Sequence, residues 1–407
     1  MTQKKILVVS HTSLFPKVMA SQDRVFTLIK RLSKDHLVDV VTTYRNDHEL
    51  TESRKHLEPI CNKFFPLLAI NPSHSHFKRK YHRLLSYYGY YVHGMPHLHY
   101  YSTHKEYTSA IAEIMRTTRY DVVQAEYWFM SKCLEATDNS VFKVIDTHDV
   151  LFDKLTQTLN QKFGDNLPYL AKRELDRYKQ LENKQLEHAD LLIAIARADL
   201  ELFSKIHPAK SIILVPSGQD ISYFNAHKAQ PNTDTILFYG SMGGKENIDA
   251  FSRVWHKIFP LIKNKVPHAR ILVVGANPPD SILQLADDIN LEVTGFVDDV
   301  RPYLSQAKVL LLPLSVAAGF RCRVVDVMAM GIPVVGNHRA LDCVEMQNGA
   351  HGYIEDSDED MATCVIDLLT NAKLRSQISD NCIQFATERY SIDKTFGYLS
   401  DFYSNLP

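Results

Sequence analysis

The sequence lacks several features that would assign it to a specialised class of protein. Its six cysteines are scattered and form no Cys-x-x-Cys pair, so neither a zinc cage nor a disulfide framework is indicated. No stretch reaches the roughly 20 apolar residues that a membrane-spanning helix requires. Only four apolar residues, 6–9, follow the basic lead of the N-terminus, too few for a signal peptide. We therefore expect free thiols and a cytoplasmic location.

The chain also lacks an excess of either charge. Lys and Arg number 46 against 47 Asp and Glu, so no overall basic charge favours binding to nucleic acid. Apolar residues make up 45% of the 407 residues and charged residues 23%, which is typical of a packed globular protein. This length predicts two or three domains.

What the sequence does contain is a repeated alternation of apolar strands and amphipathic helices. Strands are predicted at 5–10, 38–42, 121–124, 142–147, 191–194 and 212–215, then at 236–239, 271–274, 291–296, 309–312 and 333–335. Apolar strands that alternate with helices predict parallel sheets, and a turn-rich stretch at 216–232 separates two halves. We predict two Rossmann-like α/β domains, 1–215 and 216–390, which face a central cleft. A terminal helix at 391–407 is expected to pack back on the first domain.

The first candidate binding loop is Gly240-Ser241-Met242-Gly243-Gly244-Lys245, between a strand and a helix. Glycines let backbone N–H groups approach a phosphate, and the N-terminus of the following helix favours an anion. The loop matches neither a P-loop nor the dinucleotide fingerprint Gly-x-Gly-x-x-Gly. A phosphate cradle and a plain tight turn are both open interpretations.

The second candidate is a pair of arginines in the segment from Gly319 to Asp326. Arg321 and Arg323 can clamp a diphosphate, because guanidinium groups pair bidentately with phosphate oxygens. A carboxylate one turn later, Asp326, can accept hydrogen bonds from ribose hydroxyls. Basic residues near a helix N-terminus oppose the helix dipole, and an anionic ligand would relieve that conflict. The alternative is a solvated helix start in which Arg323 pairs with Asp326.

Two further features lie in the first half. His148 and Asp149 follow a predicted strand, where they suit acid–base chemistry or a contact to a sugar hydroxyl; a helix cap at Asp149 is the alternative. Residues 59–105 hold six Lys or Arg and no Asp or Glu, and seven tyrosines fall within 77–105. Such a stretch could bind an anionic membrane surface, a phosphate-bearing acceptor or single-stranded nucleic acid. The alternative is a loop and helix that cover the first domain and bind no ligand.

Several of these motifs, taken in order, resemble glycosyltransferase family 4 (group 1 glycosyltransferases), which has the GT-B fold. They are Phe238-Tyr239-Gly240-Ser241-Met242, Val293-Thr294-Gly295-Phe296-Val297-Asp298-Asp299-Val300, and Arg321-x-Arg323-x-x-Asp326 ahead of Met328-Ala329-Met330-Gly331. Val215-Pro216-Ser217-Gly218-Gln219-Asp220 is similar to the interdomain segment of the family. The first domain matches more loosely, through Glu126 and 146–149.

The resemblance implies a retaining enzyme that transfers a sugar from a nucleoside diphosphate sugar without a bound metal or other cofactor. It places the diphosphate on Gly240, Ser241, Lys245, Gly319, Arg321 and Arg323. It assigns base recognition to Gly295, Phe296 and Val297, the ribose to Asp326, and the transferred sugar to His148, with Asp149 beside it. The acceptor is expected to be a glycan or a lipid-linked sugar in surface polysaccharide or glycoconjugate biosynthesis. An anionic membrane is expected to contact 77–105, at the inner face of the membrane, and no nucleic acid is expected.

The chain departs from the family pattern at four places. Asp326 stands where the family usually has Glu, and Ala318 replaces the first Glu of a Glu-x7-Glu pair. Ser241 replaces a common Arg, for which Arg321 is expected to compensate. Ala20-Ser21 is the nearest equivalent of a Gly-Gly loop. These departures leave two alternatives open: a sugar-nucleotide epimerase or hydrolase with the same fold, and a non-catalytic partner that binds nucleotide sugar.

Overall fold

The structure is a computed structural model that describes residues 2–17, 19–69, 105–138, 140–164, 166–231, 233–287, 289–316 and 319–407. Its chain divides into two compact units. Unit 1 comprises residues 1–218 together with 395–407, and unit 2 comprises residues 219–394.

Unit 1 is a seven-stranded parallel sheet with helices between its strands. Its strands are β1 (Lys5–Val9), β2 (Leu37–Tyr44), β3 (Lys63–Leu68), β4 (Val122–Glu126), β5 (Phe142–Asp146), β6 (Leu191–Ala194) and β7 (Ser211–Leu214). Its helices are α1 (Ala20–Leu32), α2 (Asp47–Leu57), α3 (Lys105–Thr117), α4 (Leu151–Phe163), α5 (Tyr169–Leu186) and α6 (Arg197–Ile206). A 3-10 helix spans Trp128–Ala136.

Unit 2 repeats this architecture with six strands. They are β8 (Thr235–Tyr239), β9 (Arg270–Val274), β10 (Leu291–Val293), β11 (Val309–Leu312), β12 (Val334–Gly336) and β13 (Gly352–Ile354). The helices are α7 (Ile221–Asn225), α8 (Lys245–Arg253), α9 (Phe259–Lys265), α10 (Asp280–Leu283), α11 (Arg301–Leu304), α12 (Cys322–Ala329), α13 (His338–Leu341), α14 (Asp358–Thr370) and α15 (Ala372–Tyr390). A last helix, α16 (Ile392–Ser404), belongs to unit 1 from Thr395 onward.

The two sheets share the same order over six strands, and the sheet of unit 1 has a seventh strand at one edge. In unit 1 the order is β3-β2-β1-β4-β5-β6-β7, and in unit 2 it is β10-β9-β8-β11-β12-β13. All strand pairs are parallel, as in the pairing of Leu7 with Asp39 and Val123. In each sheet, the first three strands are added in one direction from the first strand, and the later strands are added in the opposite direction. The place where the direction changes is the switch point, and ligands of such sheets bind there, at the carboxyl ends of the strands. The prediction of two parallel-sheet α/β domains is confirmed.

Each unit has its own apolar core, which explains why its strands read as continuous apolar runs. Trp128 and Phe203 are fully buried in the core of unit 1, and Phe238 and Phe251 in that of unit 2. Within unit 1, α16 is held by Tyr403, whose hydroxyl donates to Gln124 Oε1 over 2.7 Å.

The sequence analysis missed one edge strand in each sheet. The first, β3, is half-buried, and the second, β13, has only three residues. β3 is apolar from 64 to 68, but Pro66 interrupts the pattern of a central strand and suits an edge position, whereas β13 is too short to carry an apolar run. The strand predicted at 291–296 was too long: β10 ends at Val293, and Gly295 adopts a left-handed φ of 67°.

Candidate functional site

The predicted phosphate loop lies at the switch point of the unit 2 sheet. The loop from Gly240 to Gly244 follows β8, and the segment that leads to Arg321 follows β11, the neighbouring strand. Because both strands are parallel, their carboxyl ends lie at the same edge of the sheet. The structure therefore brings the glycine loop and the two arginines to one place within unit 2.

The guanidinium of Arg323 lies where a side chain of residue 240 would lie. A Cβ added to Gly240 would stand 1.8 Å from Nη1 of Arg323, and the φ of Gly240 is 147°. The same Nη1 donates to the carbonyl oxygen of Tyr239 over 2.9 Å. Burial, and then the charge of Arg321, lower the pKa of Arg323 to about 10, so the guanidinium stays charged at neutral pH. Only glycine at position 240 leaves room for this side chain.

Asn247 joins the glycine loop to Arg323, and the sequence analysis missed it. Its Oδ1 accepts from Arg323 Nη1 over 3.0 Å, and its Nδ2 donates to the carbonyl oxygen of Ser241 over 2.7 Å. Asn247 is buried in the first turn of α8. An uncharged amide there satisfies a donor and an acceptor at once. Asn247 could have been found from the sequence, because it is a polar residue on the inward face of a helix that follows a glycine loop.

Arg321 and Gly319 shape the start of α12. Arg321 is the N-cap residue of that helix, and its Nη1 donates to the carbonyl oxygen of Gly319 over 2.7 Å. Gly319 has a left-handed φ of 65°, which a residue with a side chain rarely adopts. Arg321 Nη2 also reaches the carbonyl oxygen of Arg339 at 3.4 Å. The two arginines are close enough for the charge of Arg321 to lower the pKa of Arg323.

Asp326 lies buried on α12, beside Tyr239. Burial raises the pKa of the Tyr239 hydroxyl, and the charge of Asp326 raises it further. The side chain of Arg323 points to β8 and α8, where it bonds Tyr239 and Asn247. The predicted carboxylate and arginine therefore both lie near Tyr239, the last residue of β8.

Four other predicted site residues lie at the start of α8 and after β10. Lys245, the first residue of α8, has a side chain that is 78% exposed, and its Nζ lies 3.2 Å from Asp249 Oδ2. Phe296 is 74% exposed, whereas Val297 packs on the core of unit 2. Gly295 has open space around the position of a Cβ. Lys245 begins α8, and the other three residues follow β10.

A second polar group lies at the carboxyl ends of β4 and β5 in unit 1. His148 is buried, and its Nε2 lies 2.7 Å from Glu126 Oε2. The ring of Tyr127 stacks on the imidazole with 4.1 Å between centroids and an interplanar angle of 9°. Burial and the charge of Asp146 raise the pKa of Glu126, and the hydrogen bond from His148 opposes that rise.

Asp146 is neutralised by an arginine from α1. Arg24 Nη2 lies 2.7 Å from Asp146 Oδ2, and both side chains are almost fully buried. Arg24 also donates to the carbonyl oxygen of Val215 over 2.9 Å and to Ser217 Oγ over 3.3 Å. Asp146 Oδ1 accepts the backbone N–H of His148 over 3.3 Å. The sequence analysis did not identify Arg24, which lies 122 residues from Asp146.

The ligand atoms of Glu126, Asp146 and His148 lie within 4.8 Å of one another, close enough to hold a metal ion. Two of them already have strong partners, however. Arg24 Nε and Nη2 both donate to Asp146 Oδ2, and Glu126 Oε2 faces His148 Nε2. A cation would have to displace the guanidinium, so these contacts fit a closed ion-pair network better than a metal centre.

His11 and Asp149 complete this end of unit 1. His11 follows β1, and its ring lies edge-on to Tyr127 at 5.3 Å. Burial, and then the charge of His148, lower the pKa of His11 to about 4. Asp149 is half-buried with its Oδ2 3.9 Å from Lys154 Nζ. The N-cap of α4 is Val150, and the first N–H groups of that helix donate to Glu182.

The basic, tyrosine-rich stretch 77–105 lies outside the described residues except for Lys105, the first residue of α3. Ala318 is also outside them. No helix within the described ranges is both long and apolar enough to span a bilayer.

Residues 233–371, which run from β8 to α14, match the sequence profile of a family described as "Glycosyl transferases group 1". The resemblance inferred from the motifs is therefore confirmed for this segment, which contains Gly240, Arg321, Arg323 and Asp326. No curated protein matches the chain by sequence.

Solved structures of other proteins align with almost the whole chain. HepE of Anabaena, solved in complex with UDP-glucose, aligns with a TM-score of 0.66 at 15% identity, over 99% of this chain and 100% of that one. Sucrose-phosphate synthase of Thermosynechococcus elongatus aligns with a TM-score of 0.70 at 15% identity, over 98% of both chains. At these identities the similarity shows the fold. The predicted GT-B fold class is confirmed, and the prediction of a glycosyltransferase is confirmed at the level of the domain and the fold.

A third similar structure is that of an S. aureus TarM variant in complex with Fondaparinux, alpha-GlcNAc-glycerol and UDP. It aligns with a TM-score of 0.67 at 12% identity, over 99% of this chain and 100% of that one.

Proposed function

We propose that the chain transfers a sugar from a nucleoside diphosphate sugar to a glycan or lipid-linked acceptor. The observation that carries this proposal is the position of Arg323 against Gly240, at the switch point of a group 1 glycosyltransferase domain, with Arg321 two residues away. Two guanidinium groups at a glycine-lined strand end suit a diphosphate. We infer that unit 2 binds the donor and that unit 1 binds the acceptor.

Within this proposal each predicted residue has a role. Gly240, Ser241, Lys245, Gly319, Arg321 and Arg323 hold the diphosphate. The backbone of Gly295, Phe296 and Val297 reads the base, and Asp326 binds the ribose. His148 contacts the transferred sugar, with Asp149 beside it.

The proposed reaction retains the configuration of the transferred sugar and uses no metal or other cofactor. The oxygen of an acceptor hydroxyl bonds to the anomeric carbon as the bond between that carbon and the diphosphate breaks; the electron pair leaves with the phosphate oxygen, and the hydroxyl proton passes to the leaving diphosphate. Positive charges held in place before the reaction stabilise that developing negative charge without reorganisation. Arg321 and Arg323 are the groups proposed to do so. Retention is tested by NMR of the product anomer, and metal independence by turnover in excess EDTA.

The proposed setting is surface polysaccharide or glycoconjugate biosynthesis in the cytoplasm, at the inner face of the membrane. The tyrosine-rich stretch 77–105 is the proposed contact to an anionic membrane or to a phosphate-bearing acceptor. HepE was solved with UDP-glucose and the TarM variant with UDP and glycan ligands, so UDP-sugars are the first donors to test.

Donor binding is tested by a thermal-shift panel of UDP-, GDP- and dTDP-sugars. A ligand held by the native state raises the melting temperature in proportion to its affinity. We expect one nucleotide class to stabilise the protein. No shift with any of them would contradict the proposal.

Turnover is tested with Arg321→Ala and a matched control. We expect this substitution to lower turnover about 100-fold, as for loss of one preorganised donor, with little change in melting temperature. Arg339→Ala removes an equal charge from an exposed side chain on α13 and should leave turnover unchanged. Equal turnover in the wild type and Arg321→Ala would refute the assignment.

The same assay separates the two alternatives. Product formed from donor alone, without acceptor, would indicate an epimerase or hydrolase. Nucleotide-sugar binding without turnover would indicate a non-catalytic partner.

A further inference from the structure

The imidazole of His148 is held on two sides by its neighbours. Glu126 Oε2 lies 2.7 Å from Nε2, and the ring of Tyr127 stacks on its face at 4.1 Å. The side chains of His148 and Glu126 are 4% and 1% exposed. One restraint fixes a ring nitrogen and the other fixes the ring plane, so the imidazole has one orientation.

The backbone at this place is strained in two neighbouring loops. Tyr127 has a φ of 68° and His148 a φ of 58°, both in the left-handed region. Residues with large side chains rarely occupy that region, and such positions persist where the surroundings determine them. Here the strain brings the two rings face to face at the ends of β4 and β5.

Glu126 is held in turn by a chain of two hydrogen bonds from Gln124 and Tyr403. Gln124 Nε2 donates to Glu126 Oε1 over 2.8 Å, and the Tyr403 hydroxyl donates to Gln124 Oε1 over 2.7 Å. All three side chains are buried. Because Gln124 accepts from one partner and donates to the other, its amide has one orientation. Both oxygens of the Glu126 carboxyl group are thereby engaged, and the group cannot turn away from His148.

This arrangement decides which nitrogen of His148 is available to a ligand. Nε2 is engaged by Glu126, and within the described residues Nδ1 has no hydrogen-bond partner. We propose that Glu126 is a positioning residue, which holds His148 so that Nδ1 meets a hydroxyl group of the transferred sugar. The inference rests on the proposed function, since it takes the sugar to bind beside His148.

The test compares Glu126→Ala and Glu126→Gln with wild-type protein. Misplacement of a positioned group by about 1 Å can lower a rate about 100-fold. We expect Glu126→Ala to lower kcat for sugar transfer by about 10- to 100-fold while the Kd for the nucleoside diphosphate, bound by unit 2, stays unchanged. Glu126→Gln keeps the shape of the side chain and should fold even where Glu126→Ala does not; we expect a smaller loss of kcat.

Chemical rescue separates positioning from a merely structural role. Formate fits the space left by a truncated carboxylate, so added formate should restore part of the kcat of Glu126→Ala. It should not restore His148→Ala, in which the imidazole itself is missing. Glu135→Ala removes the carboxylate of another His–Glu pair, since Glu135 Oε1 lies 3.2 Å from His188 Nε2 at the surface, and it should match the wild type.

The outcomes distinguish the inference from the proposed function. If wild-type protein transfers no sugar from any nucleoside diphosphate sugar, the proposed function fails. If the wild type is active and both Glu126 variants keep its kcat and KM, the positioning role of Glu126 is overturned. A loss of kcat that formate does not relieve, together with a lowered melting temperature, would also overturn it in favour of a structural role.

Discussion

Arg323 occupies the space in which a side chain of residue 240 would lie. A Cβ on Gly240 would stand 1.8 Å from Nη1 and 3.0 Å from Cζ of Arg323. We therefore expect Gly240→Ala to displace the guanidinium and to place alanine at an unfavourable φ of 147°. Calorimetric titration with the nucleotide that stabilises the wild type should show at least about tenfold weaker binding.

Gly243→Ala is the matched control for this prediction, because it lies in the same loop. A Cβ there would meet Asn277 Cβ at 3.4 Å, which is an ordinary van der Waals contact. We expect its nucleotide affinity to stay within about twofold of the wild type. Equal affinities in the two alanine variants would show that the position of Arg323 is unimportant for binding.

Asn247 is expected to stabilise unit 2. In Asn247→Leu, the carbonyl oxygen of Ser241 loses its donor and Arg323 Nη1 keeps only Tyr239. A polar group left unsatisfied in a buried place destabilises a protein by about 1–3 kcal/mol. We expect a loss of that size in the free energy of unfolding, measured by urea denaturation.

Lys245→Ala, two residues earlier on α8, provides the comparison. Its side chain is 78% exposed, and surface substitutions usually change stability by less than about 0.5 kcal/mol. If Asn247→Leu were as stable as Lys245→Ala, the bridge through Asn247 would have no energetic role.

The sequence allowed the fold to be predicted wherever a strand is central in its sheet. Runs such as 6–9 and 309–312 are apolar throughout because both faces of a central parallel strand are covered. The two strands that escaped prediction, β3 and β13, are edge strands: Pro66 interrupts the apolar run of β3, and β13 has only three residues.

The candidate site could be predicted only in part. Gly240, Arg321 and Arg323 were identified because they follow strands that proved to be neighbours in the sheet. Arg24 and Asn247 were missed because each acts through a contact that depends on tertiary packing. A single sequence shows that α1 contains an arginine, but not that its guanidinium reaches the end of β5.

The buried ion pair of Arg24 and Asp146 yields a further prediction about stability. Arg24→Met would leave Asp146 as an uncompensated buried charge and would remove the donors to Val215 and Ser217. Breaking one side of such a pair destabilises a protein by about 3–5 kcal/mol. Urea denaturation of the variant should show a loss of this size.

An exposed ion pair between Lys17, which precedes α1, and Asp23 in that helix serves as the control. Lys17 Nζ lies 2.6 Å from Asp23 Oδ1, with 34% and 50% of the two side chains exposed. Exposed pairs contribute only about 0–1 kcal/mol, so Lys17→Met should change stability little. Similar losses in the two variants would contradict the special role of the buried pair.

His11 is expected to make the stability of unit 1 depend on pH. Its pKa is lowered from 6.5 to about 4, by burial first and then by the charge of His148. Between these values the unfolded chain binds a proton that the native protein excludes, so stability falls as pH is lowered through this range. A shift of this size corresponds to roughly 3 kcal/mol. His11→Phe keeps an aromatic ring against Tyr127 and removes the titration. Its stability relative to the wild type should therefore rise as pH falls from 7 to 4, as measured by urea denaturation at each pH.

His338 provides a control of opposite sign. Its hydrogen bond to Asp342 raises its pKa, so protonation of His338 favours the native state in acid, and His338→Gln should not gain stability there. A pH-independent difference between the wild type and His11→Phe would show that His11 is not held neutral in the folded protein.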